Sequence, residues 1–138
     1  MKVGMAVERH GVPVGVLTDA ANVGEPDLGE RVLGHIPPEV ELPDPVPVVA
    51  DRGFDSDDLR DDLAEQGFEL LAPHRKNRKR PSRNDGRKMR RYKRRYVVER
   101  TFGWLHSYRR LLVRHEYYPF IYDGFLHLAC ALIAVGQF

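Results

Sequence analysis

Short β-branched runs alternate with helix-forming stretches along this chain, and this alternation limits the fold more than any other feature. The runs at residues 2–7 and 14–17 are separated by a turn at His10 and Gly11, which predicts two antiparallel strands. The other predicted elements are a helix at 26–33, a strand ending at Asp51, a helix at 56–66, a strand at 68–72, and helices at 88–107 and 120–135. Strands that alternate with helices predict a mixed α/β domain.

The composition is that of one intracellular domain. The 138 residues are 42% hydrophobic, enough for one core, and no charged amino-terminal segment leads into an apolar signal stretch. The longest apolar run, residues 126–136, is interrupted by His127 and is shorter than the roughly 20 residues that cross a bilayer. The single cysteine, Cys130, lies in that run and can form no internal disulfide. We therefore expect a cytoplasmic protein without a membrane partner, in which Cys130 is a small buried hydrophobe.

Charge is strongly segregated along the chain. Residues 1–73 carry 5 Lys/Arg and 16 Asp/Glu, net −11, whereas residues 74–114 carry 17 Lys/Arg and 2 Asp/Glu, net +15. So many cations in one stretch predict binding to a polyanion such as a nucleic acid. The alternative is a solvated or disordered basic loop. Aromatic residues within the stretch argue against disorder, and they are Tyr92, Tyr96, Phe102, Trp104 and Tyr108.

Two acidic residues stand in distinctive settings. Asp51 ends an apolar run and precedes a turn, which predicts a carboxylate at the carboxyl end of a strand, where ligands bind in α/β sheets. Glu99 lies within the basic helix predicted at 88–107. Acids on two elements can converge on divalent metal ions beside a nucleic-acid backbone. The alternatives are that Asp51 only caps its turn and that Glu99 is a solvated charge.

The predicted helix at 88–107 has two different faces. At about 100° per residue, one mostly apolar stripe predicts the buried side, and it consists of Val97, Val98, Thr101, Trp104 and Leu105. Tyr92, Arg95, Glu99 and His106 line up on an almost opposite face. Glu99 can therefore face a cleft while the helix buries its other side. Arg95 lies one turn before Glu99 and predicts an ion pair worth about 0.2–0.5 kcal/mol on an exposed helix.

Three segments are distinctive when taken together: residues 50–56 (ADRGFDS), residues 73–79 (PHRKNRK) and residues 92–110, with Tyr92, Arg95 and Glu99 at fixed spacing. Together they resemble the carboxyl-terminal half of bacterial insertion-sequence DDE transposases, in which the tyrosine, arginine and glutamate have this spacing. Residues 12–14 and 20–23 are also similar to the family's hairpin and to the segment that follows it, so the resemblance covers nearly the whole chain. It implies a ribonuclease-H-like mixed sheet flanked by helices, with Mg²⁺ or Mn²⁺ held by an Asp-Asp-Glu triad.

The resemblance assigns roles to individual residues. Asp51 matches the family's second aspartate and Glu99 its glutamate, so both are implied as catalytic and metal-binding residues. The implied DNA contacts are Tyr92, Arg95, His106, Arg75, Lys76, Arg78, Lys79, Arg91, Arg94, Arg109 and Arg110. His106 stands where the family's signature has a lysine. No residue matches the family's first aspartate, which lies on a strand before the hairpin; the nearby acids Asp19 and Glu25 lack that setting.

The implied protein is a truncated transposase catalytic domain over residues 1–138, with a DNA-contacting basic segment at 74–114 and without the first strand. Its expected activity is DNA transposition by metal-dependent phosphodiester cleavage and strand transfer, with little activity from this chain alone. The expected partners are DNA, a further copy of the chain, or the product of an upstream reading frame that completes it. The alternative is a non-catalytic DNA-binding remnant or regulator, because the same basic segment occurs without a complete triad.

Overall fold

A computed structural model describes residues 1–136 of the chain. The elements are β1 (Lys2–Val7), β2 (Pro13–Asp19), α1 (Glu25–Gly34), β3 (Val46–Val49), α2 (Asp57–Glu65), β4 (Phe68–Leu71), α3 (Tyr96–His106), α4 (Arg109–Leu112) and α5 (Pro119–Gly136). Two 3₁₀ helices, Arg52–Phe54 and Lys88–Arg95, precede α2 and α3. The α/β class and the order of the main elements are therefore confirmed, and α4 is an element that the sequence did not predict.

Strands β1 and β2 form the predicted antiparallel hairpin, with Lys2 opposite Asp19 at its open end. At the turn, the Glu8 carboxylate accepts hydrogen bonds from the backbone N–H groups of His10, at 2.7 Å, and Val12, at 3.0 Å. Gly11 has φ +93°, a conformation that side-chain-bearing residues rarely adopt. A glycine at this position and a carboxylate within reach explain why the chain turns here.

Strands β3 and β4 pair in parallel through the α2 crossover, with Val46 opposite Phe68. Helix α2 begins as predicted, because the Ser56 hydroxyl accepts a hydrogen bond from the Leu59 N–H and acidic residues occupy the first turn. Within residues 1–136 the two strand pairs are separate two-stranded sheets. The expected single mixed sheet is therefore not present in the described chain, since no strand of the β1–β2 pair bonds to a strand of the β3–β4 pair.

Helix α1 packs between the two strand pairs. A Cβ on Gly4 of β1 would lie 2.6 Å from Val32 Cγ2, so the glycine lets the helix approach the hairpin closely. On its other side Gly29 lies against the Phe54 ring, beside the end of β3. Two buried clusters result, one between the hairpin, α3 and α5, and one between α2, β3 and β4.

The helix predicted at 88–107 is divided into two parts. Residues Lys88–Arg95 form a 3₁₀ helix, and the α-helical hydrogen bonding of α3 begins at Tyr96. Six of these first eight residues are Lys or Arg, and none of the eight is buried. Like charges three and four residues apart repel each other, and no buried face compensates by packing. The α-helix therefore begins where Val97 and Thr101 first contact the core.

Helix α5 packs Tyr122, Leu126, Ala129, Cys130 and Ile133 into the core. Burial raises the pKa of the Cys130 thiol to about 11, as expected for a buried cysteine. The helix has 18 residues with mean hydropathy 1.5, of which 22% are buried, so by length and composition it could cross a membrane. The expectation that the apolar run is too short for this is not upheld, because the helix begins at Pro119. A core helix passes the same test.

Candidate metal and nucleic-acid site

Asp51 follows β3 and caps the 3₁₀ turn Arg52–Phe54. Its Oδ1 accepts a hydrogen bond from the Gly53 N–H at 2.8 Å, so the turn-capping role proposed from the sequence is real. Among residues 1–136, no hydrogen bond or ion pair reaches Oδ2. Asp51 is half-buried at the carboxyl end of the strand, and it therefore keeps one oxygen for a ligand.

Glu99 lies on the exposed side of α3. Its side chain is 62% exposed, and Oε1 forms the predicted i,i+4 ion pair with Arg95 Nη2 at 3.1 Å. Three residues of the predicted apolar stripe, Val97, Thr101 and Leu105, are buried on the opposite side. Trp104 is half-buried and its ring lies 4.9 Å from the Arg100 guanidinium. The helix therefore presents Glu99 away from the core.

The β1–β2 hairpin fixes the rotation of α3. Thr101 is fully buried, and its hydroxyl donates to the Gly11 carbonyl oxygen at 2.7 Å, the shorter of its two contacts. Arg100 Nη2 donates to the neighbouring His10 carbonyl oxygen at 2.8 Å. A Cβ on Gly11 would lie 2.8 Å from the Thr101 hydroxyl, so only glycine lets the turn come this close. From the sequence, Thr101 was predicted only as one residue of the apolar stripe, and no pattern indicated its hydrogen bond to Gly11.

Arg95 connects the surroundings of Asp51 with Glu99. A cleft of about 470 Å³ at the end of β3 is lined by Glu25, Asp51, Arg52, Gly53, Tyr92 and Arg95. Arg95 Nη1 donates to the Tyr92 hydroxyl at 3.2 Å. This hydrogen bond raises the pKa of Arg95, and the carboxylates of Glu99 and Asp51 raise it further. Arg95 is thus paired with one of the two predicted acids and shares a cleft with the other.

The acidic residues around Asp51 and Glu99 do not by themselves make a metal site. In the described part of the chain, no three His, Cys, Asp or Glu residues are grouped so that they could hold a metal ion. Glu99 is paired with the Arg95 guanidinium, which also lines the cleft of Asp51, whereas Mg²⁺ needs several oxygens at about 2.0–2.1 Å. Of the other nearby acids, Glu25 lines the cleft, while Asp19 pairs with Arg31 and caps the Ala20 N–H.

The cations of segment 74–114 divide into two groups. Nine have partners within the protein, either carboxylates or backbone carbonyl oxygens. The other eight form no ion pair and no side-chain hydrogen bond with any residue from 1 to 136. We call them the free cations: Lys76, Lys79, Arg87, Arg90, Arg91, Lys93, Arg94 and Arg109. Five of the free cations lie in or next to the 3₁₀ helix Lys88–Arg95, and this helix is therefore the main surface of unneutralised positive charge.

Four arginines predicted as DNA contacts have partners within the protein. Arg75 donates to the backbone carbonyl oxygens of Arg52 and Gly53, and Arg78 pairs with Asp55, at 2.7 Å, and with Asp57. Arg95 pairs with Glu99, and Arg110 pairs with Glu116 at 3.0 Å. His106, in contrast, is exposed, and its nearest aromatic neighbour is the Phe102 ring at 6.4 Å between centroids.

Comparison with known proteins identifies the family. Residues 1–134 match the family described as "Transposase DDE domain". The chain is 34% identical over 134 residues to the transposase assigned to insertion sequence element IS402 of Burkholderia cepacia, covering 94% of this chain and 60% of that protein. It is 41% identical over 75 residues to the transposase for IS1106 of Neisseria meningitidis serogroup B, covering 52% of this chain and 26% of that protein.

A third relative, assigned to IS6501 of Brucella ovis, is 36% identical over 88 residues, covering 62% of this chain and 65% of that protein. The chain thus spans less than two thirds of the length of these three relatives. No solved structure matches it. Because the family's profile covers almost the whole sequence, the chain belongs to the DDE transposase family.

Proposed function

We propose that this chain is the carboxyl-terminal part of a transposase catalytic domain that acts on the DNA ends of an insertion sequence. One observation carries the proposal: Arg95 pairs with Glu99 and lines the same cleft as Asp51, in a 3₁₀ helix that also carries free cations. The expected reaction of the complete protein is phosphodiester cleavage and strand transfer. The cytoplasm, where the bacterial DNA lies, is the expected location.

The fold that we expect for the complete domain is a ribonuclease-H-like mixed sheet. The antiparallel pair β1–β2 and the parallel pair β3–β4 would be two parts of one mixed sheet, with a further strand between β1 and β3. Two observations support this: each of these strands pairs along one edge, and α1 packs against both pairs. An upstream polypeptide would supply the strand and, on it, the third carboxylate that a site for Mg²⁺ or Mn²⁺ needs.

For the described residues we assign two separate tasks. The free cations would hold the phosphates of DNA, while Asp51 and Glu99 would present carboxylate oxygens at the scissile phosphate. Arg95 pairs with Glu99, and this pair would have to open before Glu99 could share an ion with Asp51. Two acids and a guanidinium do not hold a pair of metal ions, so we expect little or no metal-dependent cleavage from this chain alone.

The second candidate is a non-catalytic DNA-binding protein that occupies element ends or associates with a full-length transposase. The absence of a third grouped acid among residues 1–136 favours it. Both candidates predict binding to DNA, and they differ in whether an added polypeptide restores cleavage.

A complementation assay separates the two. The chain is mixed with the part of a longer relative that precedes the matched region, and Mn²⁺-dependent nicking of element-end DNA is measured. We expect nicking only in the mixture, and its loss with Asp51→Asn or Glu99→Gln while DNA affinity is kept. If the mixture stays inactive although the two polypeptides form a complex, the non-catalytic candidate is the better one.

A further inference from the structure

Asp55 is a charged residue buried outside the site described above. Its side chain is 1% exposed, and its pair Arg60 is 8% exposed, with Arg60 Nη2 at 3.0 Å from Asp55 Oδ1. Removing one partner of such a buried pair is costly, because it leaves an uncompensated charge. In the sequence Asp55 looks like any other acid of the turn before α2, and nothing there predicts its burial.

Asp55 is the point at which the basic loop, residues 73–86, is attached to the sheet. Its Oδ2 accepts a hydrogen bond from the backbone N–H of Arg75 at 2.8 Å, and its Oδ1 pairs with Arg78 at 2.7 Å. The His74 ring nitrogen lies 3.6 Å from Oδ2. A single carboxylate thus holds the loop by hydrogen bonds at two points, Arg75 and Arg78.

Arg60 extends this attachment to both the sheet and the far end of the loop. Its guanidinium donates to the carbonyl oxygens of Leu70, at 2.7 Å, and Ala72, at 3.1 Å, at the end of β4. It also donates to the side-chain oxygen of Asn84 at 3.0 Å. The loop is therefore held at Arg75, Arg78 and Asn84 by one buried ion pair that also binds the strand.

Contacts with the turn before α2 and with α2 itself decide which cations of the loop are free. Arg78 is 13% exposed between Asp55 and Asp57, and Arg83 pairs with Asp61 at 2.9 Å. Arg75 is directed to the carbonyl oxygens of Arg52 and Gly53. Among the described residues, Lys76 and Lys79 are the loop cations left without a partner.

We propose that Asp55 is a positioning residue that fixes the basic loop and withholds Arg78 from DNA, so that phosphate binding falls to the free cations. The positioning part stands on these contacts alone, whereas the DNA part rests on the proposed function. The two parts are therefore tested by separate measurements.

Limited digestion with trypsin tests the positioning without DNA, because trypsin cleaves after the arginines concerned. In the wild type we expect early cleavage in 87–94 and slow cleavage after Arg75 and Arg78. Asp55→Asn should speed cleavage after Arg75 and Arg78 at least tenfold, because the new amide presents N–H groups to the Arg75 N–H. Asp58→Asn, an exposed neighbour on α2, should change nothing.

Equal cleavage rates in Asp55→Asn and the wild type would overturn the positioning role. If Asp55→Asn does not fold, Arg78→Gln takes its place, since it leaves the Asp55–Arg60 pair intact and should speed cleavage after Arg75. An unchanged pattern in Arg78→Gln would then overturn the proposal.

The DNA part is tested by the slope of log affinity against log salt. Each phosphate contact contributes about −0.9 to this slope. Arg78→Gln should leave the steepness of the slope undiminished, whereas Arg91→Gln should reduce it by about 0.9. A reduction of about 0.9 with Arg78→Gln would show that Arg78 contacts phosphate and overturn the withholding. If the wild-type affinity did not depend on salt, the proposed function would fail, while the digestion result would still decide the role of Asp55.

Discussion

The basic loop 73–86 and the 3₁₀ helix that follows it are equally basic in sequence and differ in what their charges do. The loop carries six Lys/Arg, of which four (Arg75, Arg78, Arg80 and Arg83) have partners within the described chain. Residues 87–95 carry seven, of which two, Lys88 and Arg95, have partners. The acids that neutralise the loop come mainly from the turn before α2 and from α2 itself. The density of positive charge along a sequence therefore does not show where that charge is available.

The largest expected effect comes from removing the cations of the 3₁₀ helix. Replacing Arg90, Arg91, Lys93 and Arg94 together by Gln should reduce the steepness of the salt dependence of DNA binding by about 3–4, at about 0.9 for each phosphate contact. The matched control replaces Arg75, Arg78, Arg80 and Arg83 by Gln, and it should change the slope by less than about 1. Equal effects of the two quadruple variants would contradict the difference between the regions.

The stability of the fold should depend on the buried acid that attaches the basic loop. Asp55→Ala leaves Arg60 buried without its carboxylate and should lower the free energy of unfolding by about 3–5 kcal/mol. Asp58→Ala changes an exposed acid in the first turn of α2 and should stay within about 0.5 kcal/mol. Urea denaturation measures both, and a small loss for Asp55→Ala would show that the buried pair does not hold the loop.

The pH dependence of stability also tests whether Asp55 is a stabilising buried carboxylate. Burial raises the pKa of Asp55, but hydrogen bonds from the Arg75 N–H and from Arg60 and Arg78 outweigh it and lower the pKa to about 2. The folded protein therefore binds this proton more weakly than the unfolded chain does. The resulting stabilisation, about 2 kcal/mol, is complete above the unfolded pKa of about 4 and is lost as the pH falls towards 2.

Acid titration of unfolding tests this against Asp55→Asn, which has no proton to bind there. The wild type should lose about 2 kcal/mol more than the variant between pH 5 and pH 2. Parallel curves for the two proteins would mean that Asp55 is not held in its charged form.

The smallest expected effect concerns the contact between α3 and the hairpin turn. Thr101→Val removes the donor to the Gly11 carbonyl oxygen and should cost about 1–2 kcal/mol, because that oxygen stays buried. Ser107→Ala removes an exposed hydroxyl just after the same helix and should cost less than about 0.5 kcal/mol. A Thr101→Val protein as stable as the wild type would show that the hairpin does not fix the rotation of α3.

Local signals in the sequence predicted the elements well. Ser56 with acids after it marked the start of α2, and the residues around His10 and Gly11 marked the hairpin turn. Helical spacing correctly predicted which face of α3 carries Glu99. It also predicted the ion pair of Glu99 with Arg95, because both features depend only on the spacing of residues along the helix. These features depend on residues close together along the chain.

Features that depend on distant residues were not predictable. Asp55, Asp57 and Asp58 look alike in the sequence, yet Asp55 is buried because Arg60 and Arg78 reach it from other elements. The length of the α-helix was overestimated because repulsion among its first cations is not balanced by any buried face. The sequence likewise did not show that the β1–β2 pair and the β3–β4 pair are separate sheets, because this depends on pairing between strands that are distant along the chain.

The most direct test of the account compares the chemical reactivity of individual arginines with and without element-end DNA. Arginine-specific modification by phenylglyoxal, read by mass spectrometry, reports each guanidinium separately. We expect Arg90, Arg91 and Arg94 to react quickly in the free protein and to be protected by DNA, while Arg78, whose side chain is 13% exposed, reacts slowly in both states. Fast reaction of Arg78 that DNA suppresses, with Arg90, Arg91 and Arg94 unaffected, would contradict the account.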